Sequence, residues 1–326
     1  MKIGKLSHDE LQTLVLDRLP KQAGNVATGP AIGLDCASVR FGDGQVVLTC
    51  DPITGAAADI GRLAVHIACN DIASCGIRPS ILMMVIIAPP TCTASEIRQV
   101  ADQAAAAAAQ LNVSIVGGHT EVSDAVGRFV VTTTALGFTY GASIIQANGG
   151  QPGDSLLMTK SAGLEGTAVF AADHRAKLLD ALSEAELDQA GDMINSISVV
   201  NEGACGGDCA VHAMHDATEG GILGACWELA ESSGLGCVIE ADAIPVHPLT
   251  ARICAALSVD PLRLISSGSL IMATEQPDRL IRELAGKGIA CTRIGYLTSD
   301  IGRYLEIDGK RDHLQAPGPD ELYKIQ

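Results

Sequence analysis

Five short stretches of glycine and acid, in fixed order along the chain, constrain it more than any other feature. They are GLDCA at 33–37, LTCD at 48–51, NDIASCG at 70–76, GGHTEV at 117–122 and HDATEGG at 215–221. Each sets a carboxylate among small residues, where backbone can approach a ligand closely. Any one aspartate reads as a turn or helix cap. Three of them, Asp35, Asp51 and Asp71, repel one another if the fold gathers them, unless cations sit between. Hard cations such as Mg2+ take oxygen ligands and share them with nucleotide phosphates. The pattern therefore predicts a protein that handles ATP with Mg2+, with Asn70 as a further contact beside Asp71.

A length of 326 residues predicts two domains. Hydrophobic residues are 47% of the chain but aromatics only 3%, so Ala, Val, Ile and Leu must pack across the 35 glycines. A net charge of −16 argues against nucleic acid, whose backbone needs clustered Lys and Arg. A small-molecule substrate is expected instead. The opening MKIGKLSHDE does not read as a signal peptide, and the apolar run 81–90 is too short to span a bilayer. Eleven cysteines then suggest reduced thiols and a cytoplasmic location, with no membrane partner.

Periodicity places helices at 7–19, 60–75 and 94–110, the last opening on a Thr93/Glu96 capping box. Strands are expected at 46–50, ending in Asp51, at 81–87, at 113–116, delivering GGHTEV as a turn, and at 129–138. The polar break ANGGQPGD at 147–154 divides the chain into domains 1–147 and 148–326. Beyond it, strands are expected at 155–159, 211–214, 236–240, 270–273 and 289–295. Helical patterns fall near 175–203, at 248–257 and at 278–286, and Leu223, Trp227 and Ala230 share a helical face. Strands and helices alternate irregularly, so the fold class is mixed α/β layers.

Gly117 and Gly118 would let backbone approach phosphates, while His119, Thr120 and Glu121 would touch metal or phosphate. The expected metal set is Asp35, Asp51, Asp71 and Glu121. Asp216 precedes a helix start, a ready anion site, and an acid there suits a cation; Thr218 alone reads as a cap. Lys160, in KSAGLEGT, is within reach of a phosphate, although neither a P-loop nor G-x-G-x-x-G occurs. Cys205, Cys209, His212 and His215 are all zinc-ligand types. Their spacing fits no standard module, and a strand there would send the two histidines to opposite faces.

The order of these motifs resembles the superfamily of aminoimidazole ribonucleotide synthetase, selenophosphate synthetase, thiamine-monophosphate kinase and the hydrogenase expression/formation (carbamoyl-dehydration) proteins. The resemblance is strongest over 59–79 and 215–246, the latter most similar to the hydrogenase proteins. It implies two α/β domains, and a homodimer whose N-terminal domains pair into a β-barrel beside an Mg-ATP cleft. It also implies metal–phosphate roles for Asp35, Asp51 and Asp71, phosphate contacts for Gly117, Gly118 and His119, and a second-domain acid at Asp216. This sequence departs from the hydrogenase pattern in three places. No cysteine follows Cys291, His119 and Glu121 replace Asp and Lys, and Ser266–Ser267–Gly268 stands where those proteins carry Asn-Glu-Gly. The expected function is ATP-dependent activation or phosphorylation of a small substrate. The alternatives are a non-catalytic nucleotide- or partner-binding homologue and a small-metabolite kinase.

Overall fold

The computed structural model describes residues 8–20, 24–54, 59–141 and 143–325. A first sheet contains β1 (Val26–Thr28), β2 (Ala37–Phe41), β3 (Gly44–Ile53), β4 (Pro79–Ala88), β5 (Ser114–Val122) and β6 (Val130–Tyr140). Its order is β1-β2-β3-β6-β4-β5, antiparallel except for the parallel β4–β5 pair. The helices of this half are α1 (His8–Leu14), α2 (Ile60–Ser74) and α3 (Ala94–Leu111). The sequence expected the first to begin at Ser7, which lies outside the described residues. In α3 the capping box forms, with Thr93 Oγ1 accepting from Glu96 N at 3.2 Å and Glu96 Oε2 accepting from Thr93 N at 2.7 Å.

The second half adds α4 (Leu164–Asp173), α5 (Arg175–Leu178), α6 (Glu184–Gly191), α7 (Val200–Asp208), α8 (Gly221–Ser232), α9 (Pro248–Leu257) and α10 (Pro277–Gly286). Its strands are β7 (Ser155–Thr159), β8 (Ala213–Asp216), β9 (Gly236–Glu240), β10 (Leu270–Thr274), β11 (Cys291–Thr298), β12 (Arg303–Ile307) and β13 (Lys310–His313). They make one sheet in the order β13-β12-β9-β11-β7-β10-β8. Strand β7 is buried on both faces, so its side chains divide by period two. Leu156 and Met158 join the core beneath α8, while Leu157 joins the core containing α2.

Helix α2 is the seam between the halves. Every residue from Ile60 to Ser74 except Arg62 is buried. An α-helix buried all round must be apolar or small on every face, and Ala64, Ala68, Cys69 and Ala73 meet that demand. Helix α7 approaches it through Gly203, where a Cβ would lie 2.0 Å from Ala73 O. Asn70 fastens the seam, donating to Ile197 O and accepting from Val199 N, both at 2.8 Å.

The opposite face of the first sheet is covered by nothing among the described residues. Val46, Leu48, Ile81, Val85, Ile87 and Leu136 are half-buried there, and Met83 is 49% exposed. Strand β5 is exposed along its whole length at the sheet edge. The sheet is open, so the barrel implied by the resemblance does not close within the chain. The GGHTEV turn is corrected. These residues continue β5, because Gly118 pairs with Met84 at φ +153 and an added Cβ would sit 1.7 Å from Met84 O.

Gly203→Ala tests the seam. Helix propensity favours alanine by about 1 kcal/mol. Overpacking against fixed backbone costs roughly 1–3 kcal/mol or more. The expected result is a lower urea midpoint, and an unchanged or higher one would contradict the close packing.

Candidate functional site

The acids gather at the C-terminal end of α2. Asp71 stands in its last turn and is buried. Asp51 lies two residues beyond Thr49 on β3, so both side chains share a face. Thr49 Oγ1 is 2.7 Å from Asp71 Oδ2 and 3.1 Å from Asp51 Oδ2. A hydroxyl has one proton, so it cannot donate to both carboxylates. A protonated Asp71 resolves the geometry by donating to Thr49, which donates to Asp51. The electrostatics agree. Burial first, then the charges of Asp216, Asp51 and Asp35, push the Asp71 carboxyl well above its ordinary range.

Asp35 arrives from the segment before β2, and Asp216 ends β8. Ser74 Oγ lies 3.2 Å from Asp35 Oδ2. His215 Nδ1 lies 2.9 Å from the same oxygen, and Nε2 lies 3.1 Å from Glu228 Oε2. With a carboxylate at each ring nitrogen, the imidazole is held as the cation. Burial alone lowers its pKa, but Asp35 and Glu228 outweigh that and raise it well above the ordinary histidine value. Asp35, His215 and Asp216 bring ligand-type atoms within 4.8 Å of one another, the one such group of three among the described residues, although His215 as the cation has no lone pair to give and only the two carboxylates are ready ligands. Acids converging from both halves, one holding a proton and one facing an imidazolium, fit a divalent cation.

Other residues singled out in the sequence lie elsewhere. Glu121 pairs with His119 at 3.2 Å on the exposed β5 edge. Strands β6 and β4 separate β5 from the Asp51 strand, roughly 14 Å across the sheet. Within one chain, Gly117, Gly118, His119, Thr120 and Glu121 therefore do not join Asp51. Asn70 serves the seam instead of facing the acids. Lys160 also departs from its expected phosphate role. Its ammonium donates to Ser198 O at 2.6 Å and Gly268 O at 2.8 Å and is ion-paired with Glu202 Oε1 at 2.6 Å. Burial lowers its pKa despite Glu202. The start of α8 is already occupied: Gly220 N donates to the Asp320 carboxylate at 2.7 Å. The Cys/His run is split, with His212 Nδ1 at 2.8 Å from Asp154, His215 in the acid site, and both cysteines buried.

The N-terminal-domain model of the AIR synthase related proteins matches residues 33–139, and the C-terminal-domain model matches 151–307. The chain belongs to this family. It is 28% identical over 310 residues to carbamoyl dehydratase HypE of Cupriavidus necator, covering 92% of this chain and 84% of that one. Among solved structures it is similar to the HypE–HypF complex, with a TM-score of 0.78, 21% identity and coverage of 94% and 99%. HypE in complex with ATP gives 0.67, 21%, 98% and 97%. Thiamine-monophosphate kinase AaThiL complexed with AMPPCP and TMP gives 0.72, 16%, 90% and 92%. These likenesses establish the AIR synthase-like two-domain fold.

Sequence reasoning missed four participants in this AIR synthase-related site: Thr49, Ser74, His215 as a partner of Asp35, and Glu228. Thr49 had a signal in Thr-x-Asp on a strand, and Ser74 had one in its i+3 spacing from Asp71. His215 falls with the cysteines by spacing although Asp216 is its neighbour. Glu228 had none, since only the tertiary fold brings it to His215.

A pH dependence follows for the metal-free protein. An acid whose folded pKa is raised binds its proton more tightly when folded, so its contribution is lost as pH rises. Asp71 behaves this way, as do Glu165, raised to about 7, and Asp320, raised to about 6, both mainly by burial. His66, lowered to about 4 chiefly by burial, acts in the opposite sense but only below its unfolded value of 6.5. Asp320's contribution is therefore gone by about pH 6, where His66 still compensates, and thermal stability is expected to fall above pH 6.5 through Asp71 and the last of Glu165. Asp71→Asn should raise the metal-free midpoint at pH 8, by about 2–4 °C for each kcal/mol gained. A lower midpoint in that variant would contradict the protonated Asp71.

Proposed function

We propose that this chain is an ATP-dependent enzyme that activates or phosphorylates a small substrate. Mg2+ would be held by Asp35, Asp51, Asp71 and Asp216. The observation that carries this reading is that Asp35, Asp51 and Asp216, from both halves of the fold, lie near enough to a buried Asp71 to raise its carboxyl, Asp51 sharing Thr49 with it and Asp35 and Asp216 meeting at His215. Gathering them destabilises the unliganded protein, which a binding role explains and a structural role does not. The ATP complex of HypE and the AMPPCP complex of the thiamine-monophosphate kinase support the nucleotide.

When bound, Mg2+ neutralises phosphate charge as it shifts during transfer. The chain's own residues prepare for this. Thr49 fixes Asp51 and Asp71 relative to each other. His215 and Ser74 orient Asp35 from opposite halves of the chain. Were Mg2+ held there, Asp71 would have to give its proton to solvent to serve as a ligand.

A second copy of the chain completes the proposal. The bare apolar sheet face and the exposed β5 edge suit a homodimer, because an unprotected edge strand beside uncovered apolar surface invites pairing. The same edge carries Gly117 through Glu121, so pairing is the route by which these residues would enter a nucleotide site. No helix among the described residues is long and apolar enough to cross a membrane.

Mg2+ with ATP is expected to raise the thermal midpoint of the wild type. Asp71→Asn should abolish that rise and cut nucleotide turnover by about 100-fold or more. Stabilisation and turnover both unaffected in Asp71→Asn would overturn the reading. Transfer of the terminal phosphate to an acceptor, instead of its release, would mark the kinase alternative. Met83→Glu, in the bare sheet face, should convert a dimer into a monomer by light scattering. A wild-type monomer at micromolar concentration would contradict the pairing.

A further inference from the structure

The chain around Asp216 supports itself less than the rest of the acid site. Strand β8 is four residues long and lies at the edge of its sheet, paired with β10, and Asp216 makes the last pair, with Leu270. Beyond it the chain turns into α8 through Gly220 at φ +85 and Gly221 at φ +64. Both are in the left-handed region, where glycine fits without strain but loses the most conformational freedom when fixed. A short edge strand followed by two such glycines leaves the carboxylate at its end dependent on what anchors the turn.

The anchor comes from 100 positions further along the chain. Asp320 is buried, and its carboxylate accepts three backbone N–H groups, Gly220 at 2.7 Å, Leu322 at 2.8 Å and Ile265 at 3.2 Å. Gly220 belongs to the turn after Asp216. Ile265 belongs to the loop before β10, which meets the same turn through Ala217 N to Ser269 O at 2.9 Å and Ser266 N to Thr218 O at 3.4 Å. Asp320 therefore ties both loops together. Tyr323 adds a bond from its hydroxyl to Glu219 Oε1 at 2.9 Å. Burial raises the Asp320 carboxyl to about 6 against the pull of its N–H donors, so it is charged at pH 7, and a charged acceptor makes the stronger bonds. Glu321 is turned elsewhere, accepting from Asp260 N at 3.1 Å and pairing with Lys324. We infer that Asp320 is a positioning residue for the acid site, fixing the turn 217–220 and through it the Asp216 carboxylate. The inference rests on the Mg-ATP role proposed for Asp216. Asp320 touches neither ion nor nucleotide; it acts as an outer partner that orients a ligand residue.

Two measurements on the full chain test it. Amide hydrogen exchange without ligand reads the anchoring: Asp320→Ala should speed exchange over 217–222 while α3 keeps its protection. Calorimetric titration with Mg2+ and ATP reads the positioning. Asp320→Ala should weaken binding about tenfold. Asp320→Asn, which keeps one acceptor oxygen, should recover part of that loss, and Glu321→Gln should bind as the wild type does. The deciding readout is a double-mutant cycle with Asp216→Asn. Once the Asp216 charge is gone, Asp320→Ala should cost little further affinity. If Asp320→Ala does not fold, Asp320→Asn takes its place in the cycle. Equal losses in both backgrounds would mark a merely structural effect and overturn the inference, as would unchanged exchange in the turn. A wild type that binds no Mg-ATP would overturn the ATP reading instead, and the exchange result would then decide whether Asp320 holds the turn.

Discussion

Mutual repulsion among carboxylates, two of them buried and two half-buried, is the constraint around which this molecule is organised. Asp35, Asp51, Asp71 and Asp216 act on one another through a poorly solvated interior, where each charge is felt more strongly than in water. Two devices make the arrangement tolerable in the unliganded chain. Asp71 keeps a proton, shared through Thr49 with Asp51. His215 carries a positive charge between Asp35 and Glu228. Both devices are replaceable, a proton by exchange and the imidazolium pair by ligand competition. That is the behaviour required of a site that waits for a divalent cation.

Helix α2 makes the gathering possible. It presents Asp71 and Ser74 toward the acids, Asn70 toward residues 197 and 199, Arg62 toward Asn195, and, apart from His66, small or apolar residues elsewhere. Its burial requires close neighbours, and the small residues of α2 and α7 supply them. The second half is locked to it by polar groups as well as by packing. Lys160 and Glu202 form an ion pair at 2.6 Å, with two carbonyls accepting from the lysine. A buried pair of this kind adds little net stability but is costly to break from one side. The acids from the two halves are therefore held in fixed relation, instead of being brought together only when a ligand binds.

Much of this was legible in the sequence. The capping box of α3, the strand at 155–159 and the mixed α/β character followed from spacing and composition. So did the motifs contributing Asp35, Asp51, Asp71 and Asp216, whose family resemblance the domain matches bear out. What failed to show in the sequence depended on contacts with no local signature. Gly117 and Gly118 look like a turn because two glycines commonly make one. Here Gly118 is required because β4 leaves no room for a Cβ. Lys160 looks free until Ser198, Glu202 and Gly268, up to 108 positions away, engage its ammonium. Asp320 reaches the start of α8 across 100 positions. Thr49 was visible only to someone asking what would hold two acids apart.

The claim most open to direct test is that Asp71 carries a proton which a metal–nucleotide complex displaces. Calorimetric titration of the wild type with Mg2+ and ATP at pH 7, in two buffers of different ionisation enthalpy, counts protons released on binding. Net release is expected, falling by close to one proton in Asp71→Asn alongside weaker binding. Binding without proton release, and with equal affinity in Asp71→Asn, would contradict the account at its centre.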